Sequence, residues 1–174
     1  MPVTRFMILN HRFLPFFFGM ASLLVMSHSH GGIDIDGVLD EPEWADAREF
    51  NDFVSVVPLT GSPAKYATRV RMIANEDGIF FGFENHQPAE VKRIRRQFAR
   101  DADVDADRNI VSIDFEGNAI VGYSFVVGSA NSRQDATLTN TKYSNAWDGR
   151  WYSQTHEDGE YWYSEIHIPW TVAP

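Results

Sequence analysis

Short runs of alternating apolar and polar residues dominate this chain and restrict it to β structure. From Lys65 to Asn75, small and apolar side chains alternate with a second set that includes Arg69 and Arg71, which is the pattern of a half-buried strand. The turn residues Asn75-Glu76-Asp77-Gly78 follow, and a phenylalanine-rich run then continues from Ile79 to Asn85. This arrangement predicts an antiparallel hairpin.

Three later segments repeat the alternating pattern. Asn109 to Phe115, Val121 to Val127 and Tyr161 to Ile168 each place branched or aromatic side chains at every second position, as strands with one buried face do. Six or more short strands with brief helices favour an all-β fold, namely an antiparallel β-sandwich with one or two short helices. A small closed barrel is the alternative that the same pattern allows.

Helical patterns are confined to two short segments. Glu41 to Ala47 opens with proline and acidic residues, which is typical of a helix start. In Pro88 to Arg100 the apolar residues recur at helical spacing among lysines and arginines, which predicts an amphipathic helix. The polar segment from Ser129 to Asn145 is predicted to be a loop.

The first 29 residues have the features of an export signal. Arg5 and Arg12 precede an apolar run from Phe13 to Met26, and small residues follow it, which predicts a secretory signal peptide at 1–29. The run is shorter than the about 20 residues of a membrane-spanning helix, so a retained anchor is the weaker alternative. We expect one domain at 30–174, exported to the periplasm, the outer membrane or the extracellular space.

Composition narrows the partners of this domain. Without Arg5 and Arg12, thirteen basic and 24 acidic residues remain, for a net charge of −11, so nucleic acid is excluded as an expected partner. The sequence contains no cysteine, which excludes disulfides and lipid attachment through a cysteine. An acidic surface suits neutral ligands or cations, although solubility alone also explains it.

Four aspartates at alternate positions form the clearest candidate for a metal site. Asp101, Asp103, Asp105 and Asp107 follow one another closely, and calcium binds several carboxylate oxygens at once. Their spacing does not follow the calcium loop of an EF-hand, which needs glycine at its sixth position. The alternative is an acidic loop neutralised by the cations of the preceding segment.

Two tryptophans near the carboxyl end form the candidate sugar-binding site. Trp147 and Trp151 are four residues apart, so in an extended segment both indoles lie on one face, about 13 Å apart. Indole faces stack on sugar rings, and the polar side chains of Asp148, Arg150 and Asn145 are expected to bind the hydroxyl groups. The alternative is that these indoles plug the end of the core, as we expect for Trp44 and Trp162.

Arg69 and Arg71 project from one face of a predicted strand and are further candidates for lining a ligand groove. Charge pairing with Glu84 on the neighbouring strand is the alternative explanation.

Catalytic patterns are weak. The histidines are scattered without the spacing of zinc ligands, and no Gly-x-Ser-x-Gly motif supplies a serine nucleophile. Carboxylates are abundant, but sequence spacing does not identify the pair that a glycosidase requires.

An ordered series of motifs covers nearly the whole chain after residue 29. Its segments are Ile35–Trp44, Ile79–Phe83, Arg100–Asp103 with Asp107-Arg108, Trp147–Trp151 and Glu165–Trp170. This series resembles the family 9 carbohydrate-binding modules, in the form found at the amino end of bacterial outer-membrane proteins of unknown function.

This resemblance implies a β-sandwich, carbohydrate binding by tryptophan stacking and structural calcium. It also implies attachment to larger polysaccharide-degrading or membrane-barrel proteins, of which the chain would be the amino-terminal part. The leading hypothesis is an exported, non-catalytic carbohydrate-binding domain that serves polysaccharide catabolism. The alternatives are an interaction or plug domain for an outer-membrane barrel in the same parent chain, and part of a glycoside hydrolase.

Overall fold

The computed structural model, which describes residues 4–9, 32–103 and 105–173, contains two five-stranded sheets. In spatial order, sheet A contains β1 (Thr4–Leu9), β7 (Arg108–Ile113), β8 (Gly122–Gly128), β9 (Arg133–Leu138) and β10 (Tyr143–Ser144). Sheet B contains β11 (Tyr152–Asp158), β12 (Tyr161–Pro169), β6 (Gly78–His86), β5 (Thr68–Ala74) and β2 (Arg48–Phe50).

Smaller elements complete the described part of the chain. The strands β3 (Val54–Val56) and β4 (Leu59–Pro63) form a separate two-stranded ribbon, and 3-10 helices span Pro42–Asp46 and Trp170–Val172. The recorded strand pairs are antiparallel except β1 with β7, which is parallel. The predicted all-β fold with short helices is therefore confirmed.

The core lies between the two sheets. From sheet A, Val111 and Phe125 point inward, and from sheet B they meet Val70, Phe83 and Ile166, all 0% exposed. Burying a side chain of this size stabilises the folded state by about 1.5–3 kcal/mol. Alternation therefore identified correctly which residues of these strands share the inner face.

The predicted hairpin is present as β5 and β6. Thr68 pairs with Asn85, and the register continues to Ala74 opposite Ile79. At the turn, the Asn75 side chain accepts a hydrogen bond from the amide of Asp77 at 2.9 Å. This contact is the local turn chemistry that the sequence predicted.

Residues 32–47, which we call the strap, cross the outer face of sheet B. Trp44, in the short helix, packs with Ile33 and Phe80 in a second apolar cluster, and it is 3% exposed. Gly82 in β6 leaves room for this layer, because a side chain there would come within 2.6 Å of Leu39. The core positions expected for Trp44 and for Trp162, which is 1% exposed, are confirmed.

The helix predicted for Pro88 to Arg100 is wrong, since this segment is irregular. Its backbone groups bond to distant parts of the chain instead of to the next helical turn. The Ile94 amide donates to Asp107 at 2.8 Å, and the Phe98 amide donates to the Ser132 hydroxyl at 3.0 Å. These bonds replace the helical bonds that the apolar spacing suggested.

The loop predicted for Ser129 to Asn145 is also wrong, because it contains β9 and β10. β9 pairs with β8 from Val127 opposite Arg133 to Gly122 opposite Leu138. β9 was not predicted because most of its side chains are polar.

Most of the predicted signal peptide, 1–29, lies outside the described residues. Its described part is β1, which pairs with β7 from Thr4 opposite Arg108 to Leu9 opposite Ile113. Within the described ranges, no helix combines the length and apolar character needed to cross a bilayer.

Candidate functional site

The two tryptophans predicted to bind sugar lie against the core. Trp151 is 2% exposed, and its ring centroid is 5.5 Å from that of Phe125. Trp147 is partly buried and meets the ring of Tyr123 at 4.8 Å. The expectation of two open indole faces is therefore wrong for Trp151, because this segment packs on the inward side chains of β8 and buries its apolar surface.

The polar residues beside these tryptophans have separate environments. The Asp148 carboxylate lies 3.1 Å from the Arg100 guanidinium, and the Arg150 side chain is exposed. The Asn145 side chain donates to the Asp101 carbonyl at 3.4 Å and lines a groove on sheet A. The three side chains predicted to bind sugar hydroxyls are therefore not at one site, and of these three Asn145 lines the groove.

Arg69 and Arg71 lie on the outer face of sheet B and do not join the tryptophans. Arg69 is 3.4 Å from Glu49 and 3.8 Å from Glu84, so the predicted charge pairing with Glu84 is confirmed. Arg71 lines a small cleft together with Trp44 of the strap.

The four aspartates predicted to bind calcium do not converge. Asp107 is 0% exposed and accepts a hydrogen bond from the Gln87 amide group at 2.9 Å, whereas Asp103 and Asp105 are exposed. In the described part of the chain, the carboxylate groups close enough to share an ion include Asp101 alone of the four. The quartet does not fit one calcium ion, because Asp107 turns into the interior while its neighbours face solvent.

Arg100 is the centre of a charged cluster beside β9. Its guanidinium is 2.8 Å from both carboxylate oxygens of Asp135 and 2.9 Å from the Gly149 carbonyl. Asp135 is 0% exposed, and burial raises the pKa of its carboxyl group, while the Gly149 amide and Arg100 oppose that rise. Asp101 and Asp148 lie close to Asp135 as well, so Arg100 supplies the cation that this group of carboxylates needs.

A groove of about 780 Å³ lies on the outer face of sheet A, which we call the outer groove. Its base consists of outward side chains from β7, β8 and β9, namely Ile110, Ser112, Ser124, Val126, Gln134 and Leu138. Serine hydroxyls and an amide therefore alternate with aliphatic side chains. A volume between about 300 and 1,000 Å³ is typical of small-molecule sites.

The rim of the outer groove carries one aromatic and several planar polar side chains. Tyr143 of β10 is 56% exposed, and Asp103, Arg108 and Asn145 also line the groove. The Arg108 Nε is buried without a hydrogen-bond partner, and its guanidinium is 3.5 Å from Asp103. Partial desolvation by neighbouring groups raises the pKa of the Tyr143 hydroxyl, and nearby Arg108 opposes the rise. Tyr143 therefore remains a neutral hydrogen-bonding phenol at physiological pH.

A second carboxylate group lies on sheet B, where the strap crosses β12. Asp36, Glu41 and Glu165 each place an oxygen within 4.8 Å of the other two. Glu165 is 0% exposed, and its Oε2 accepts hydrogen bonds from the amides of Asp36 at 3.0 Å and Gly37 at 2.7 Å. This group joins parts of the chain that are 129 positions apart.

Comparisons of this chain with protein-family models, with curated proteins and with solved structures find no match. Its function therefore has to be inferred from the geometry of the outer groove and of the carboxylate groups.

Sequence reasoning missed the outer groove and the Glu165 group. A signal for the groove existed in Ser112, Gly122 and Ser124, since small residues on the outward side of strands leave space above a sheet. A signal for Glu165 existed as a charged residue at an alternate position of a strand otherwise rich in aromatic and branched side chains.

Proposed function

We propose that this protein is a non-catalytic carbohydrate-binding domain that holds its ligand in the outer groove of sheet A. The observation that carries the proposal is the lining of the groove, which combines an exposed tyrosine with Arg108, Gln134 and Asn145 and with serines and aliphatic side chains. Sugars present both hydroxyl groups and apolar C–H faces, so they need such a mixed surface.

Planar polar side chains suit hydroxyl recognition because they offer donors and acceptors in fixed directions. Arg108 contributes a guanidinium group and Asn145 contributes an amide to the lining of the outer groove. Asp103 adds an exposed carboxylate, which accepts hydrogen bonds. The −11 net charge of the domain after residue 29 favours a neutral or cationic ligand over an acidic polysaccharide.

Tyr143 takes the stacking role that the sequence assigned to Trp147 and Trp151. Its ring is 56% exposed, whereas Trp151 is 2% exposed. Trp147 and Trp151 instead support sheet A from its inner side, where they pack on Phe125.

Affinity electrophoresis and a glycan array on the protein test this function. We expect retention by at least one polysaccharide, and a loss of about tenfold in affinity for Tyr143→Ala, since a stacking residue in a small interface contributes more than about 1 kcal/mol. Tyr152→Ala is the matched control, because Tyr152 is 46% exposed but lies on sheet B. Equal losses in both variants, or no retention of the parent domain, would contradict the proposal.

An interaction domain for an outer-membrane barrel is the second candidate, and the β3–β4 ribbon favours it. Val57 and Leu59 at its tip are each 84% exposed, and Val54 and Val56 are 50% and 40% exposed. Exposed aliphatic side chains grouped in this way are typical of a protein-contact surface. For this candidate we expect no retention on any polysaccharide and loss of barrel binding in Leu59→Asp.

Turnover of a reporter glycoside would instead support the glycoside hydrolase alternative. Such turnover has to disappear when a specific acid pair is mutated.

A further inference from the structure

Glu165 is a buried carboxylate with one oxygen that has no partner. Its side chain is 0% exposed, and Oε1 makes no hydrogen bond, whereas Oε2 accepts two backbone amides from the strap. Burial raises the pKa of Glu165 to about 7, the amide of Gly37 opposes the rise, and the Glu41 carboxylate adds to it. A buried acceptor left without a partner costs free energy.

The surroundings of Glu165 are acidic rather than basic. Asp36 and Glu41 each place an oxygen within 4.8 Å of a Glu165 oxygen, and no ion pair joins Glu165 to a lysine or arginine among residues 32–103 and 105–173. Like charges at this separation repel one another, so the folded chain holds them together only at a cost.

The other two carboxylates are held in place by donors of the strap. Glu41 accepts the Trp44 indole N–H at 3.0 Å and the Asp34 amide at 3.1 Å. Asp36 accepts the Val38 amide at 2.8 Å. Their orientation is therefore set by local bonds before any ligand arrives.

We propose that Asp36, Glu41 and Glu165 bind one divalent cation of the calcium type, which ties the strap to β12. Each of the three carboxylates offers one oxygen to the ion, and water completes the 6–8 oxygen ligands that calcium takes in flexible arrangements. Magnesium demands closer and more regular geometry and loses its water reluctantly, so calcium is preferred. The cation gives Oε1 of Glu165 the partner that the chain does not provide.

This site is independent of the sugar proposal, because it lies on the opposite sheet from the outer groove. Its role is to stabilise the strap, which covers Phe80 and contributes Trp44 to the second apolar cluster. Calcium sites of extracellular modules have dissociation constants of about 10⁻⁴–10⁻³ M.

Thermal unfolding of the protein in chelator and in calcium chloride tests the proposal. At a calcium concentration of about 100 times Kd, we expect the Tm to rise by about 5–10 °C, because a ligand that binds only the folded state stabilises it. Hydrogen exchange of the Gly37 amide is a second readout, since this amide bonds to Glu165, and we expect its exchange to slow when calcium is added. Magnesium should produce a smaller shift than calcium at the same concentration.

Glu165→Gln should remove the calcium shift while the protein still folds, and Glu41→Gln should reduce it. Glu84→Gln is the matched control, since Glu84 lies on the same sheet but pairs with Arg69, and it should keep the full shift. No shift in the parent protein would overturn the proposal. An equal shift in Glu165→Gln, or a shift that disappears only in Asp148→Asn, would overturn it by placing the ion elsewhere.

Discussion

Asp135 and Glu165 are both fully buried carboxylates, one in each sheet, and they are neutralised in different ways. Arg100 lies 2.8 Å from both oxygens of Asp135, so the chain itself supplies the opposite charge. Glu165 has two backbone amides on one oxygen and no partner on the other. The difference is that the chain supplies the cation for Asp135, whereas we propose that a bound cation supplies it for Glu165.

The largest effect is expected on the Asp135 side of this comparison. Arg100→Ala leaves a buried carboxylate without its cation, and we expect the free energy of unfolding to fall by about 3 kcal/mol, the lower end of the range for such losses because Arg100 is partly exposed. Urea unfolding measures this change. Arg150→Ala is the control, since Arg150 is exposed, and it should change stability by less than about 0.5 kcal/mol. Similar losses in both variants would mean that Arg100 does not neutralise Asp135.

Gly37→Ala tests whether the contact between the strap and Glu165 stabilises the folded protein. Gly37 has a φ of +92°, and a β-carbon there would lie 2.8 Å from the Thr155 backbone, so we expect a loss of about 2–3 kcal/mol and a weaker calcium response. Gly159→Ala is the control, because Gly159 has a φ of +55° but open space around it. It should lose about 1 kcal/mol in urea unfolding and keep the calcium response.

Replacing each buried carboxylate by its amide should change the free energy of unfolding in opposite directions. The measurement is made in chelator at slightly alkaline pH. Asp135→Asn deprives Arg100 of its partner and should lower the free energy of unfolding by about 2 kcal/mol. Glu165→Gln removes a charge that has no cation and offers an amide donor to Asp36 or Glu41, so we expect stability to rise by about 1 kcal/mol. A loss in both variants would remove the distinction between the two carboxylates.

The sequence predicted the fold where local pattern and tertiary packing agree. Alternation in β5, β7, β8 and β12 identified the inner face, because successive side chains of a strand point to opposite faces of the sheet. The helix predicted from Pro88 to Arg100 is absent although its apolar residues have helical spacing. The backbone amides of Ile94 and Phe98 donate hydrogen bonds to Asp107 and Ser132 instead. Such distant acceptors leave no signal in the segment itself.

The candidate sites were harder to predict, since each depends on which face of a strand meets the core. The spacing of Trp147 and Trp151 predicted that their indoles lie near each other. It did not predict which way the indoles point, and Trp151 is buried. The three carboxylates of the proposed cation site come from both ends of the chain, and Asp36 and Glu165 are 129 positions apart. Their meeting follows from the path of the strap over sheet B, which no local pattern describes.

Luminescence of bound terbium, a hard trivalent ion that replaces calcium, tests the Glu165 site most directly. The indole N–H of Trp44 bonds to Glu41 at 3.0 Å, so exciting tryptophan should transfer energy to an ion held by Asp36, Glu41 and Glu165. We predict sensitised terbium emission in the parent protein that calcium displaces and that Glu165→Gln abolishes. Emission that is absent, or unchanged in Glu165→Gln, would contradict the account.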